Sequence, residues 1–252
     1  MSVRYLNKLH IQKDKILTEL AFIYLGVSVW RCVNNIKKLH LTYLSKRRLL
    51  QISKTCKEIR VAEIPGEFIE VGCALGGSAI LIASTKEKNR VFKIYDVFGQ
   101  IPAPGPLDEK DAKDRYQVIS EGRATGLGSD KYYGYFDNLR DVVESNLTKF
   151  GINLKSDSVS LVEGLLQDTL NPLQTIAFAH IDVDWFEPVT VSLERIFPKL
   201  AIGGSIIIND YFDWNGCRTA VETFLETVSG CFRLDPSYGS LKITKTSELQ
   251  NN

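Results

Sequence analysis

Phe68-Ile-Glu-Val-Gly-Cys-Ala-Leu-Gly-Gly-Ser78 reads as a strand, a glycine turn and a helix start in one short stretch. Phe68, Ile69 and Val71 suit a pleated, buried strand. Gly72, Gly76 and Gly77 tolerate positive φ and let backbone approach a ligand closely. Ser78 stands where a capping residue would open the apolar run Ala79-Ile-Leu-Ile-Ala83. The same pattern also makes an ordinary βα connection, so the turn alone names no ligand. Asp96 adds to it. It ends the next apolar run, Arg90-Val-Phe-Lys-Ile-Tyr-Asp96, roughly 20 residues past the turn, where an acid can accept hydrogen bonds from ribose hydroxyls.

The turn also narrows the ligand. Dinucleotide sites prefer glycine at all three places of G-x-G-x-x-G, so that pyrophosphate can rest on the helix N-terminus. Here Ala74 takes the second place and Glu70 stands two residues before Gly72. A carboxylate aimed into the turn would repel pyrophosphate and suit a ligand with an ammonium group. The expected ligand is S-adenosylmethionine rather than NAD.

Outward from the turn, apolar strand candidates fall at 67–72, 90–96, 158–164, 176–183 and 204–209. Helical patterns occupy 78–87, 137–150, 187–200 and 216–229. This alternation predicts an α/β fold, a Rossmann-like doubly wound sheet, mainly parallel, with right-handed crossovers. Phe232 to Lys245 reads as an antiparallel hairpin at the C-terminal edge, turning at Tyr238-Gly239. Residues 1–65 read as a helical N-terminal extension closed by Ile64-Pro65-Gly66, residues 66–246 as the ligand-binding domain, and 247–252 as a tail. Between them, about 97–136 breaks the pattern with Pro102, Pro104, Pro106 and several glycines. A long irregular stretch after a strand, on the ligand-binding edge of a sheet, is expected to be a lid insertion.

Composition bounds the rest. The 252 residues, 44% hydrophobic, can bury one large core with an appendage. A net charge of +1 gives no field that would recruit nucleic acid or an anionic membrane. The five cysteines form no C-x-x-C pair, which speaks against a disulfide framework and fits a cytoplasmic protein. The polar N-terminus is unlike a signal peptide. Leu20 to Trp30 is uncharged but short of the roughly 20 apolar residues a bilayer span needs. A buried or oligomer-forming helix is expected there, without stable membrane insertion.

A second chemical centre follows the glycine turn. Ile176-Ala-Phe-Ala-His-Ile-Asp-Val-Asp184 places His180, Asp182 and Asp184 at period two, on one side of a strand. Ser205-Ile-Ile-Ile-Asn-Asp-Tyr211 ends in Asn209 and Asp210. Adjacent parallel strands would bring Asp182, Asn209 and Asp210 together as oxygen ligands for Mg²⁺ or another divalent hard cation. Polar strand ends capping loops would give the same residues without a metal.

Five segments in order carry a family resemblance: Glu70-Val-Gly-Cys-Ala-Leu-Gly-Gly-Ser, Tyr95-Asp-Val-Phe-Gly-Gln-Ile-Pro, Val162-Glu-Gly-Leu-Leu-Gln-Asp-Thr-Leu, His180-Ile-Asp-Val-Asp-Trp-Phe-Glu-Pro and Gly203-Gly-Ser-Ile-Ile-Ile-Asn-Asp-Tyr. Together they resemble the macrocin, mycinamicin and novobiocin O-methyltransferases, metal-dependent S-adenosylmethionine enzymes acting on sugar hydroxyls. The resemblance spans about 60–230. It implies that Glu70, Gly72 and Ser78 surround the methionine moiety, that Ala74 and Gly76 also bind the cofactor, that Asp96 holds the ribose, and that Gly164 and Leu165 pack on the adenine. It further implies Asp182 and Asp210 as metal ligands, with Asp182 beside the cofactor, and Asp184 as the general base. Asn209 departs from the family, which usually places a second aspartate there; its amide oxygen can still ligate, with one negative charge fewer. The resemblance also implies a homo-oligomer, a dimer or higher.

The expected reaction is methyl transfer to a hydroxyl of a sugar or glycosylated small molecule. Two sugar hydroxyls, or one hydroxyl and water, would chelate the cation, and Asp184 or His180 would accept the proton. His180 could equally be a strand histidine satisfied by its neighbours. An O-methyltransferase for a catechol-like hydroxyl and a non-catalytic S-adenosylmethionine-binding homologue are the alternatives. A nucleic-acid substrate would call for a basic, aromatic-laced surface absent from the sequence.

Overall fold

The computed structural model describes residues 3–249, with side chains from Asp14 onward. Residues 1 and 2 of the expected N-terminal extension and 250–252 of the expected tail lie outside the described residues. The apolar runs form a parallel sheet of β1 (Glu67–Val71), β2 (Phe92–Asp96), β3 (Val159–Glu163), β4 (Ile176–Ile181) and β5 (Leu200–Ile208). β6 (Phe232–Asp235) and β7 (Leu241–Lys245) complete it as an antiparallel edge, in the order β3-β2-β1-β4-β5-β7-β6. The expected strands and edge hairpin are therefore present. Every residue of β1 and β4 is buried, which explains why they read as continuous apolar runs rather than alternating ones.

Helices cover both faces. α1 (Val3–Leu25), α2 (Val27–Lys38), α3 (Lys46–Val61) and α4 (Gly77–Thr85) precede or follow β1; α5 (Lys110–Ser120) and α6 (Leu139–Lys149) lie between β2 and β3. The short α7 (Leu166–Thr169), then α8 (Phe186–Ile196) and α9 (Asn215–Thr227), follow β3, β4 and β5 in turn. On one face Phe68, Phe92 and Phe178 pack with Ile36, Leu49 and Ile80. On the other, Ile69, Val71 and Ile181 pack with Leu193 and Val221. Each such fully buried side chain contributes about 1.5–3 kcal/mol relative to exposure.

Strand order reverses between β1 and β4, where β2 continues to one side and β5 to the other. That switch point opens a crevice at the carboxyl ends of the strands. The glycine turn leaves β1 there, and Asp182 leaves β4.

Four local expectations change. α4 begins at Gly77 with Gly76 (φ 85°) as its N-cap, so Ser78 sits inside the first turn, buried, rather than capping it. β4 ends at Ile181, so Asp182 and Asp184 follow the strand and period two does not place them. The segment expected to be a lid holds a full helix, α5, built on buried Ala112 and Ile119. The uncharged stretch 20–30 is likewise two helices, broken at Gly26.

Candidate active site

The cavity at the switch point measures about 410 Å³. Its floor is the glycine turn. Gly72 has φ 79°, and a Cβ there would run into the Asp182 carbonyl oxygen, so the first glycine is required by the close approach of β4. Ala74 has φ 46°, a left-handed conformation that costs a non-glycine residue about 1 kcal/mol. The middle glycine place of the motif is thus kept as a backbone shape although the side chain differs. Gly77 donates its N–H to Leu41 at 3.0 Å, and a Cβ on it would lie 2.5 Å from that oxygen. The loop before α3 therefore rests directly on the turn and adds Thr42, Tyr43 and Leu44 to the cavity wall.

Asp96 ends β2 beside this floor. Its Oδ2 accepts from the Cys73 N–H at 2.7 Å and its Oδ1 from the Phe98 N–H at 2.8 Å. Burial pushes its pKa up, and these backbone donors oppose the shift. Asp96, Gly72, Ala74, Ser78, Gly164 and Leu165 all line the cavity. Glu70 and His180 do not. Both are fully buried, and Nδ1 of His180 lies 2.9 Å from Oε1 of Glu70. One carboxylate oxygen of Glu70 is thus held in a cross-strand pair between β1 and β4, while Oε2 is buried without a hydrogen-bond partner. Gly76 also lies off the cavity, packed on Val143 as the cap of α4. His180 is not among the cavity-lining residues; its Nδ1 is engaged by Glu70 and its Nε2 is buried without a hydrogen-bond partner.

The carboxylates converge as the spacing suggested, for a different local reason. The Asp182 N–H continues the ladder to Val71 O at 2.8 Å, and the Asn209 N–H to Ile181 O at 2.9 Å. These backbone bonds bring the ends of β1, β4 and β5 to one point. Asp182, Asp184, Asn209 and Asp210 line the cavity together. Burial, then repulsion from Asp210, raises the pKa values of Asp182 and Asp184 well above the carboxylate range. Burial pushes Asp210 up to about 6. The Asn209 amide donates to Asp210 Oδ1 at 3.1 Å, while Asn209 Oδ1 and Asp210 Oδ2 are buried without a hydrogen-bond partner. Two carboxylates and an amide, with one orphaned oxygen each on Asp210 and Asn209, are the kind of oxygen donors a hard divalent cation takes. Among the described residues no group of three or more His, Cys, Asp or Glu side chains is placed to hold a metal ion.

The segment after β2 closes the cavity and is clamped to the sheet. Asp108 accepts from the Phe186 N–H and the Gly105 N–H, both at 2.8 Å. Trp185 donates its indole N–H to Pro102 O at 2.9 Å and packs edge-on against Trp214, with ring centroids 5.4 Å apart. Tyr43, Tyr132, Tyr133 and Arg115 form the wall above. Sequence reasoning passed over these aromatic residues. Trp185 directly follows Asp184 and Trp214 lies just past Asp210, so adjacency to the acids was the available signal.

Comparison with known proteins agrees with this geometry. The chain is 28% identical over 190 residues, 73% of its length and 67% of the relative's, to the 8-demethyl-8-(2,3-dimethoxy-alpha-L-rhamnosyl)-tetracenomycin-C 4'-O-methyltransferase of Streptomyces olivaceus. It is 25% identical over 189 residues, again 73% and 67%, to the demethyldecarbamoylnovobiocin O-methyltransferase of Streptomyces niveus. The solved structure of the O-methyltransferase NovP shares the fold, with a TM-score of 0.72 at 18% identity, covering 90% of this chain and 100% of that one. The Macrocin-O-methyltransferase (TylF) family model matches residues 31–229, across the turn, the carboxylates and the clamped segment alike, and the chain belongs to that family of O-methyltransferases.

Proposed function

We propose that the chain transfers the methyl group of S-adenosylmethionine to a hydroxyl of a sugar or glycosylated small molecule. The observation that carries this reading is one cavity in which the glycine turn with Asp96 faces Asp184 across Asp182 and Asp210. Relatives that act on the tetracenomycin rhamnosyl group and on a novobiocin precursor support the acceptor class.

The chain's own residues do three things. The turn, Asp96 and the Gly164–Leu165 edge hold the donor, so the reacting methyl group is fixed relative to the carboxylates; such positioning can supply about 7–11 kcal/mol of a barrier. Trp185, Trp214 and the segment clamped by Asp108 exclude water. Asp184 takes the proton of the acceptor hydroxyl as its oxygen forms the new bond to carbon and the sulfonium leaves as a neutral thioether. Burial raises its pKa, which makes its carboxylate a stronger proton acceptor than a solvated one. Asp182, Asn209 and Asp210 would hold Mg²⁺ or a similar cation, which lowers the pKa of a bound hydroxyl. His180 orients Glu70 within the sheet and is a positioning residue.

Leu17, Leu20, Tyr24 and Val27 are exposed along α1 and the start of α2. This apolar stripe supports a homo-oligomer, a dimer or higher, checked by sedimentation. The unpaired cysteines favour a cytoplasmic location, and among the described residues no helix is long and apolar enough to cross a membrane.

The test is methyl transfer from labelled S-adenosylmethionine to a panel of sugars, glycosides and catechols, with and without EDTA. Turnover lost in chelator and restored by Mg²⁺ supports the whole reading; full turnover in chelator removes the metal, and acceptance of catechols alone removes the sugar.

A further inference from the structure

Arg115 on α5 lines the same cavity as the carboxylates. Its guanidinium lies 5.6 Å from the centroid of the Tyr132 ring. Among the described residues its side chain makes no ion pair and no hydrogen bond. Arg48, the other cavity arginine, is fully engaged: it pairs with Asp213 at 2.7 Å and donates to Gly239 O at 2.9 Å. Arg115 is thus a half-buried cation facing the cavity with its hydrogen-bonding edge unused.

Its surroundings hold it ready. Tyr132 packs on Tyr133, with centroids 4.5 Å apart, and Tyr133 packs edge-on against Tyr43 at 6.0 Å. The loop before α3 and the segment after β2 meet at this aromatic wall. A guanidinium laid on an aromatic face keeps its planar N–H edge free for a bidentate anion. Partial burial of a cation without a partner is unfavourable, and a ligand anion would offset it. Asp96, Asp182 and Asp210 repel such an anion, and Arg115, which also acts on Asp184 through space, is the cavity arginine with its hydrogen-bonding edge free.

We infer that Arg115 reads an anionic group, a phosphate or a carboxylate, carried by the acceptor. Building on the sugar reading above, the preferred acceptor is a sugar phosphate, a nucleotide-linked sugar or an acidic sugar rather than a neutral glycoside. A competing role is local: Arg115 lowers the pKa of Asp184 through space and could serve only that base.

The experiment is calorimetric titration of glucose phosphate, glucuronate and methyl glucoside into the full chain loaded with S-adenosylhomocysteine, for the unaltered protein and for Arg115→Met and Arg115→Lys. The unaltered protein should bind at least one anionic probe about 10–100-fold more tightly than the neutral one. Arg115→Met should erase that preference, Arg115→Lys should keep part of it, and S-adenosylhomocysteine affinity should not move. Binding of only the phosphate or only the carboxylate identifies the group. Equal affinity for all three probes, no binding of the anionic pair, or a preference that survives Arg115→Met would overturn the inference. So would an Arg115→Met effect confined to the pH profile of methyl transfer and equal for every acceptor. The binding arm needs no turnover, so anion preference without methyl transfer would refute the proposed reaction and leave this inference standing.

Discussion

Glu70 and His180 face each other across neighbouring strands, Oε1 to Nδ1 at 2.9 Å, with neither side chain exposed. The other polar atom of each, Glu70 Oε2 and His180 Nε2, is buried without a partner. The two residues are in register on the β1–β4 ladder, two residues before Gly72 and Asp182 respectively, so the pair ties together the strands that carry the site. Glu70→Ala leaves the imidazole unsatisfied and should cost about 1–3 kcal/mol of stability; Glu70→Gln, which keeps an acceptor oxygen, should cost less. Thermal unfolding of both variants checks this, and equal losses would mean that the hydrogen bond contributes nothing.

Asp184→Asn keeps the shape of the cavity and removes the proton acceptor. It should lower kcat by about 10²–10⁴-fold while S-adenosylmethionine affinity stays within twofold or so by calorimetry. Retention of most activity would take the base role away from Asp184.

Buried carboxyls also give the ligand-free protein a pH dependence. Burial raises the Asp210 pKa from 3.8 to about 6, and burial plus mutual repulsion raise Asp182 and Asp184 further. A carboxyl with a raised folded pKa stabilises the fold below its unfolded value, and that contribution is lost as pH rises through the folded value. For Asp210 the window runs from 3.8 to about 6. Ligand-free protein should therefore melt lower at pH 8 than at pH 5, and Asp210→Asn should recover about 1–3 kcal/mol at pH 8. Calorimetry at both pH values checks it; parallel profiles for the two proteins would contradict the burial of a strained acid cluster.

Gly72→Ala should be among the most damaging single-methyl changes in the chain. The added Cβ meets the Asp182 carbonyl while φ remains 79°, so clash and backbone strain act together, costing about 2 kcal/mol or more. Ala74→Gly, which relieves a left-handed alanine at φ 46°, should be close to neutral. A urea titration of both ranks them, and the reverse order would contradict the reading of the turn.

The parts of the site legible in the sequence were those encoded over short spans. Phe68 to Ser78 contains its own strand, turn and helix, and the Asp182, Asp184 and Asn209-Asp210 acids follow apolar runs that could only be strands. What stayed hidden depends on contacts distant along the chain. Glu70 meets His180 across a separation of 110 residues, and Asp108 caps Phe186 across 78; no local pattern announces either. α5 was masked by neighbouring prolines and by its own charges, with Ala112 and Ile119 its only buried positions. Arg115 looked like one more surface charge until the fold turned it toward the cavity.

The most direct measurement is the formation of S-adenosylhomocysteine together with the mass and linkage of the product, using purified full chain, Mg²⁺ and a sugar panel. A single added methyl group on a sugar oxygen is expected, formed about 10²–10⁴-fold more slowly by Asp184→Asn although that variant still binds the donor. Tight donor binding with no oxygen-methylated sugar, or equal methylation by Asp184→Asn, would contradict it.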